Sequence, residues 1–274
     1  MIEPSDSGRP KLTVCVICRN AQRTIAACLS SVSWADEIVV LDSGSSDNTL
    51  KIAAEFTDQI HTRDDWQGFG VQRQRAAALA SHDWIFALDS DEVVSAPLAR
   101  EIQERLTNAD DKQVFVLNRL TSFCGQFVRH SGWYPDPVAR IYNRLRFQYN
   151  ARVVHESLDC TDANLERLAS DLLHYTFSDL NAYLMKRNEY AFEWAKDRFE
   201  KGQRASTLKA LGSSGFAFFR HFVLRRGFLD GRTGLLISVI QMQYSFNKYM
   251  HLVCMATTQK TEQPVVRTSG EGSG

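Results

Sequence analysis

Apolar and polar positions come in short alternating blocks along the first third of the chain. Residues 12–18 (LTVCVIC), 37–41 (EIVVL) and 84–88 (WIFAL) are nearly continuous apolar runs rich in branched side chains. Such runs fit strands covered on both faces of a parallel sheet, because a half-exposed strand would alternate apolar with polar. Between them, residues 24–32 and the alanine-rich residues 71–80 read as helices, and residues 59–61 as a brief third strand. The polar stretch Asp42-Ser43-Gly44-Ser45-Ser46-Asp47 is a turn, in which Ser46 or Asp47 can cap a helix continuing to Phe56. Strands alternating with helices predict an α/β fold whose ligands gather outside the carboxyl ends of the strands. Asn20, Asp42 and Asp89 each follow such an end, so they should converge on one crevice.

A helix at 98–106 and a strand at 114–118 follow, and the pattern then loosens into apolar pieces at 124–130, 138–142, 153 and 172–175. These pieces are expected to make the sheet mixed and to supply acceptor-side loops. From residue 179 onward the spacing is helical. The predicted organisation is a disordered N-terminus over residues 1–10, a catalytic domain over 11–176, a helical extension over 177–258 and a disordered polar tail over 259–274. Two late apolar stretches, 216–224 and 235–255, belong to the extension. The second carries Gln241, Gln243, Asn247, Lys248 and His251, which makes it an amphipathic helix rather than a bilayer span. Its apolar face can pack in a core, or attach to a membrane surface with help from Arg220, Arg225 and Arg226.

Composition narrows the class. The chain has 274 residues, 44% hydrophobic and 23% charged, which excludes wholesale disorder and a multi-span membrane protein. Lysine plus arginine and aspartate plus glutamate both total 32, so no nucleic-acid partner is expected. Basic residues cluster between Lys186 and Arg232, where any anionic partner should be met. Six scattered cysteines and a polar N-terminus predict a cytoplasmic protein, peripheral at most on the inner face of the cytoplasmic membrane. Cys15 and Cys18 have CxxC spacing but lie inside a strand, and no second metal-ligand pair follows them.

The strongest local chemistry is Asp89-Ser90-Asp91-Glu92, directly after an apolar strand. Carboxylates one residue apart at a strand end present hard oxygen ligands to Mg²⁺ or Mn²⁺, leaving other coordination positions to phosphate and water. Such a metal stabilises a departing nucleoside diphosphate as its charge develops. Asp42 can accept hydrogen bonds from a base edge or ribose hydroxyls, Gly44 lets the backbone turn, and Asn20 is either a third donor-site element or a turn residue. The same aspartates also resemble the nucleophile motif of a haloacid-dehalogenase-type phosphatase, with Asp89 attacking phosphate and Asp91 acting as acid. Against that reading, three strand-helix units precede the motif and Asp110-Asp111 lies in a polar linker. A non-catalytic nucleotide-sugar-binding protein is the other alternative.

Residues 13–20 (TVCVICRN), 38–49 (IVVLDSGSSDNT) and 84–92 (WIFALDSDE) together resemble the successive donor-site motifs of glycosyltransferase family 2. The resemblance implies a GT-A nucleotide-sugar-binding, Rossmann-like mixed sheet flanked by helices, inverting chemistry and a divalent metal. Residues 66–76 (WQGFGVQRQRA), with Gly132-Trp133-Tyr134-Pro135-Asp136, Arg140-Ile141-Tyr142, His155-Glu156 and His174-Tyr175, are similar to the bacterial branch of lipopolysaccharide core glucosyltransferases, which use UDP-glucose. Arg73-Gln74 departs from the Lys-Asn expected there, and Ser90 from the more frequent Ala.

The roles that follow are those the resemblance implies. Asp136 is the first candidate for the base that takes the acceptor hydroxyl proton and Glu156 the second, although Pro135 replaces the glutamate that usually precedes the base. Asp89 and Asp91 are the metal carboxylates. His155 completes the metal shell or contacts a phosphate, with His174 competing for that role. Arg140 offsets diphosphate charge, and Trp133 and Tyr134 wall the sugar pocket. The expected partners are a nucleotide-sugar donor and a saccharide or glycolipid acceptor.

Overall fold

A computed structural model describes residues 9–151, 156–177 and 180–262. They form two compact units. One runs to Phe127 and resumes over Trp133–Thr176; the other consists of Val128–Gly132 and the residues from Phe177 onward.

The first unit is built on β1 (Leu12–Cys18), β2 (Glu37–Asp42), β3 (Ile60–Thr62), β4 (Trp84–Asp89), β5 (Glu92–Val94), β6 (Gln113–Phe123), β7 (Gln126–Phe127), β8 (Pro137–Asn143) and β9 (Asn164–Phe177). Among the described residues they make one sheet in the order β3-β2-β1-β4-β8-β6-β9-β5, with β7 paired to β6. β3, β2, β1 and β4 are parallel, whereas β8 runs antiparallel to β4 and β6 antiparallel to β8. The sheet is therefore mixed, as the loosening of the apolar pattern predicts.

Continuous apolarity of the central strands has a direct cause. Val14 and Val16 of β1 and Phe86 and Leu88 of β4 join one core with α1 (Ile25–Ser30) and α4 (Ala96–Leu106). Their neighbours Cys15, Ile17, Ile85 and Ala87 join a second core, to which α3 (Phe69–Leu79) contributes Ala76 and Ala77. Every residue of β1 is buried, so alternation has no solvent side to mark. The helix after the Asp42 turn, α2 (Thr49–Ala53), stops short of Phe56. Asn48 precedes it without a side-chain cap, while Asp47 Oδ1 accepts from Thr49 N at 3.0 Å. α4 is capped by Ser95, whose hydroxyl accepts from Leu98 N at 3.3 Å.

In the second unit α7 (Gly231–Glu262) packs against α5 (Leu180–Glu200) and α6 (Thr207–Phe219). It continues beyond Gln259, where the tail is expected to begin. A π-helical turn, Arg220–Leu224, and a 3-10 turn, Gly227–Asp230, lead from α6 into α7. The segment Val128–Gly132 is held here by Asp230, whose oxygens accept from Arg129 N at 3.2 Å and His130 N at 2.9 Å. Among the described residues no helix is long and apolar enough to cross a membrane.

Candidate active site

Strand register brings the three donor-site turns to one edge. Ile17 of β1 pairs with Asp89 of β4, and Cys18 of β1 pairs with Asp42 of β2. With neighbouring strands about 4.8 Å apart, Asp42 and Asp89 flank the end of β1 at roughly 10 Å from one another. Asp42 is fully buried. Its Oδ2 accepts from Gly44 N and Ser45 N, both at 2.9 Å, and its Oδ1 from the Ser45 hydroxyl. The carboxylate therefore folds its own loop, and Gly44, at φ +85°, occupies the left-handed turn position that this wrapping requires. Asn20 ties the neighbouring turn to it: its N–H donates to Ser45 Oγ at 2.8 Å and its Oδ1 accepts from Ser46 N at 2.9 Å.

Asp89 lies in an ion-pair cluster that the sequence motif does not reveal. Arg73 Nη2 donates to Asp89 Oδ1 at 2.7 Å and to Oδ2 at 3.0 Å, and Arg140 Nη2 donates to Oδ2 at 2.6 Å. Arg140 also reaches Glu92 Oε1 at 2.7 Å, and Glu92 Oε2 accepts from Asp89 N at 2.9 Å. Burial pushes the Asp89 carboxyl up, but Arg140 and Arg73 outweigh it and hold the group well below the usual carboxylate range. For Glu92 burial wins over Arg140, and with Asp89 adding its own charge the glutamate is pushed above its ordinary value. The cluster continues through Arg119, 3.7 Å from Glu92, to Asp136 Oδ2, which Arg119 contacts at 2.7 Å from Nη2 and 2.8 Å from Nε.

This places the expected residues differently from one another. Asp89 is expected as a metal ligand, and both its oxygens accept hydrogen bonds from guanidinium groups. Arg140, expected to face diphosphate, is buried between Asp89 and Glu92. Asp91 is more open, and its Oδ2 lies 3.3 Å from His174 Nε2. The imidazole is oriented by Thr121 Oγ1, 3.2 Å from Nδ1, and by strand pairing, because His174 of β9 is the partner of Glu92 in β5. A carboxylate oxygen and an imidazole nitrogen thus lie side by side, two ligand atoms of the kinds Mn²⁺ accepts, but among the described residues no three His, Cys, Asp or Glu side chains group as a metal site. His155 lies outside the described residues.

Glu156 stands near the start of α3: a Cβ added at Gly70 would lie 3.3 Å from Glu156 Cβ. Trp133 packs edge-on against Phe123 at 5.5 Å between ring centroids, and the Tyr134 hydroxyl donates to Asp171 Oδ1 at 2.8 Å.

Arg73, Glu92 and Arg119 have no role in the sequence reading. The signal for Arg73 was an arginine on the face of α3 that also carries Ala76 and Ala77, since a charge on a buried face requires a partner. Its Nε and Nη1 are buried and without a hydrogen-bond partner among the described residues, although the guanidinium stands 5.2 Å from the Tyr149 ring.

A family model described as glycosyl transferase family 2 matches residues 13–173. The chain is 25% identical to an uncharacterized glycosyltransferase of Rickettsia prowazekii, over 93% of this chain and 90% of the relative. It is 24% identical to the lipopolysaccharide core biosynthesis glycosyltransferase LpsC of Rhizobium meliloti, over 86% of this chain and 89% of that protein. Among solved structures it is similar to glucosyl-3-phosphoglycerate synthase from Mycobacterium tuberculosis in complex with Mg²⁺ and uridine diphosphate. That similarity is 26% identity at a TM-score of 0.36, spanning 42% of this chain and 45% of that one.

Proposed function

Because the chain belongs to glycosyl transferase family 2, with the GT-A fold, we propose that it is an inverting hexosyltransferase taking glucose from UDP-glucose to a saccharide of the lipopolysaccharide inner core. One observation carries the donor half of this reading: the Asp42 loop and the Asp89-Ser90-Asp91 turn end adjacent strands on either side of β1. A nucleoside diphosphate laid across that edge would meet the Asp42 loop with its nucleoside and the Asp91 side with its phosphates. The acceptor class is supported by the similarity to LpsC of Rhizobium meliloti, a lipopolysaccharide core biosynthesis glycosyltransferase.

In this reading Asp91 and His174 would hold Mg²⁺ or Mn²⁺, which would offset the charge that grows on the departing diphosphate. Asp89 holds Arg73 and Arg140 at the strand end. Asp136 is the base. Both Arg119 contacts fall on Oδ2, so Oδ1 is the oxygen that takes the acceptor proton. The acceptor oxygen then bonds to the anomeric carbon from the side opposite the diphosphate, the bond from that carbon to the phosphate oxygen breaks, and UDP leaves. Trp133 and Tyr134, next to Asp136 in sequence, wall the sugar pocket.

The test is mass spectrometry of a lipopolysaccharide-core acceptor extract incubated with Mn²⁺ and a panel of UDP-sugars. A hexose added only in the UDP-glucose reaction is the expected result. No product from any UDP-sugar would refute the donor class, and transfer to other saccharides alone would refute the acceptor.

A further inference from the structure

We infer that the outward face of α6 and of the turns that follow it docks onto an anionic lipid surface. A surface helix ordinarily turns its apolar stripe inward. α6 is built the other way: its buried residues are Ala210 and Ser214, while Leu208, Leu211, Phe216 and Phe219 are exposed, Leu208 by 81% and Phe216 by 59%. At about 100° per residue Leu208, Leu211 and Phe219 fall on one stripe with Phe216 at its margin. The outward positions between them are Gly212 and Gly215, so the stripe contains no charge. Val223, Leu224, Phe228 and Leu229 continue the exposure through the turns, and Leu235 and Val239 carry it into α7. Single exposed apolar side chains are ordinary, but a run of this extent marks a surface that is covered when the protein works.

Charge selects what covers it. From Lys201 to Thr261 the only acidic residue is Asp230, which is buried on the backbone of Arg129 and His130, against nine lysines and arginines. Arg220, Arg226 and Arg232 are exposed among the apolar residues themselves. A second copy of the chain would bring this cationic rim against itself, because a two-fold interface opposes identical patches. An anionic bilayer instead accepts both features, taking the apolar side chains into its interfacial layer and the arginines among its headgroups. Since no described helix can cross a bilayer, the unit lies on the surface rather than through it. The inference does not depend on the sugar transferred.

Vesicle flotation of the full chain tests it. The protein is expected to float with phosphatidylcholine vesicles containing about one third phosphatidylglycerol, and to stay behind with phosphatidylcholine alone. Leu211→Gln/Phe216→Gln/Phe219→Gln should reduce the floating fraction at least tenfold, with its circular dichroism unchanged because all three side chains are exposed. Arg220→Gln/Arg232→Gln should float less well at low salt, and the gap should close as salt rises. Wild-type protein that does not float, or a triple variant that floats equally well, overturns the proposal. So does a dimer in light scattering that the triple variant dissolves while neither protein binds vesicles.

Discussion

Arg140 bridges the buried Glu92 carboxylate and the half-buried Asp89 carboxylate, and removing it tests the whole cluster around Asp89. Its Nη2 stands 2.6 Å from Asp89 Oδ2 and 2.7 Å from Glu92 Oε1. Arg140→Met keeps much of the volume and leaves Glu92 with Arg119 at 3.7 Å and the Asp89 amide, whereas Asp89 retains Arg73 at 2.7 Å. Breaking a buried pair on one side costs about 3–5 kcal/mol, because the remaining charge stays desolvated. At an m-value of about 2 kcal/mol per molar urea, the unfolding midpoint of this unit should fall by about 1.5–2.5 M. The pH dependence follows from Glu92. Burial already pushes it upward while Arg140 pulls it down, so its value rises further in the variant. A carboxyl whose folded value lies above its unfolded one contributes stability below the unfolded value and loses it as pH rises through the folded value. The variant should therefore be closest to wild type at acid pH, where Glu92 is protonated, and fall further from it as pH rises. Arg140→Met/Glu92→Gln should recover most of the loss. A midpoint within about 0.3 M of wild type, or a double variant no better than the single one, would refute the account.

Other outcomes follow from neighbouring contacts. His174→Ala should weaken Mn²⁺ binding at least tenfold in a paramagnetic-resonance titration of the protein without donor, and unchanged binding would remove His174 from the metal site. Asp91→Asn should abolish metal-dependent UDP-glucose binding in calorimetry; full retention would break the donor-site assignment. Asp136→Asn should leave donor binding intact and lower kcat by about 10²–10⁴-fold, whereas intact turnover would pass the base to Glu156. Gly70→Ala should cost about 1–3 kcal/mol, measured by thermal unfolding, because its new Cβ would collide with the Asn150 carbonyl oxygen; an unchanged Tm would contradict that packing.

The parallel half of the sheet was legible because β1, β2 and β4 have solvent on neither face and show it as unbroken apolar runs. β9 was not. Only its residues 172–175 stood out, since Glu166, Arg167 and Asp171 interrupt the apolar pattern of a 14-residue strand. The turns at Asn20, Asp42 and Asp89 could be placed together from chain order alone, because parallel strands deliver their ends to one edge. What Asp89 touches could not. Its partners Arg73 and Arg140 come from a helix 16 residues earlier and a strand 51 residues later, and that meeting is set by packing rather than spacing. His174 competed with His155 in the sequence, and the strand pairing that sets it beside Asp91 involves residues more than eighty positions apart.

Residues 128–132 have a consequence for dissection of the chain. Although they lie between two strands of the sheet, Ser131 N bonds to Arg225 O at 2.9 Å, and the Arg129 and His130 amides bond to Asp230. Cutting after Thr176 would strand those donors in the shortened polypeptide, while the excised helices would lose the two amides from which Asp230 accepts. The helical unit is completed by a short stretch laid down earlier in the chain, so one cleavage after Thr176 does not release it whole.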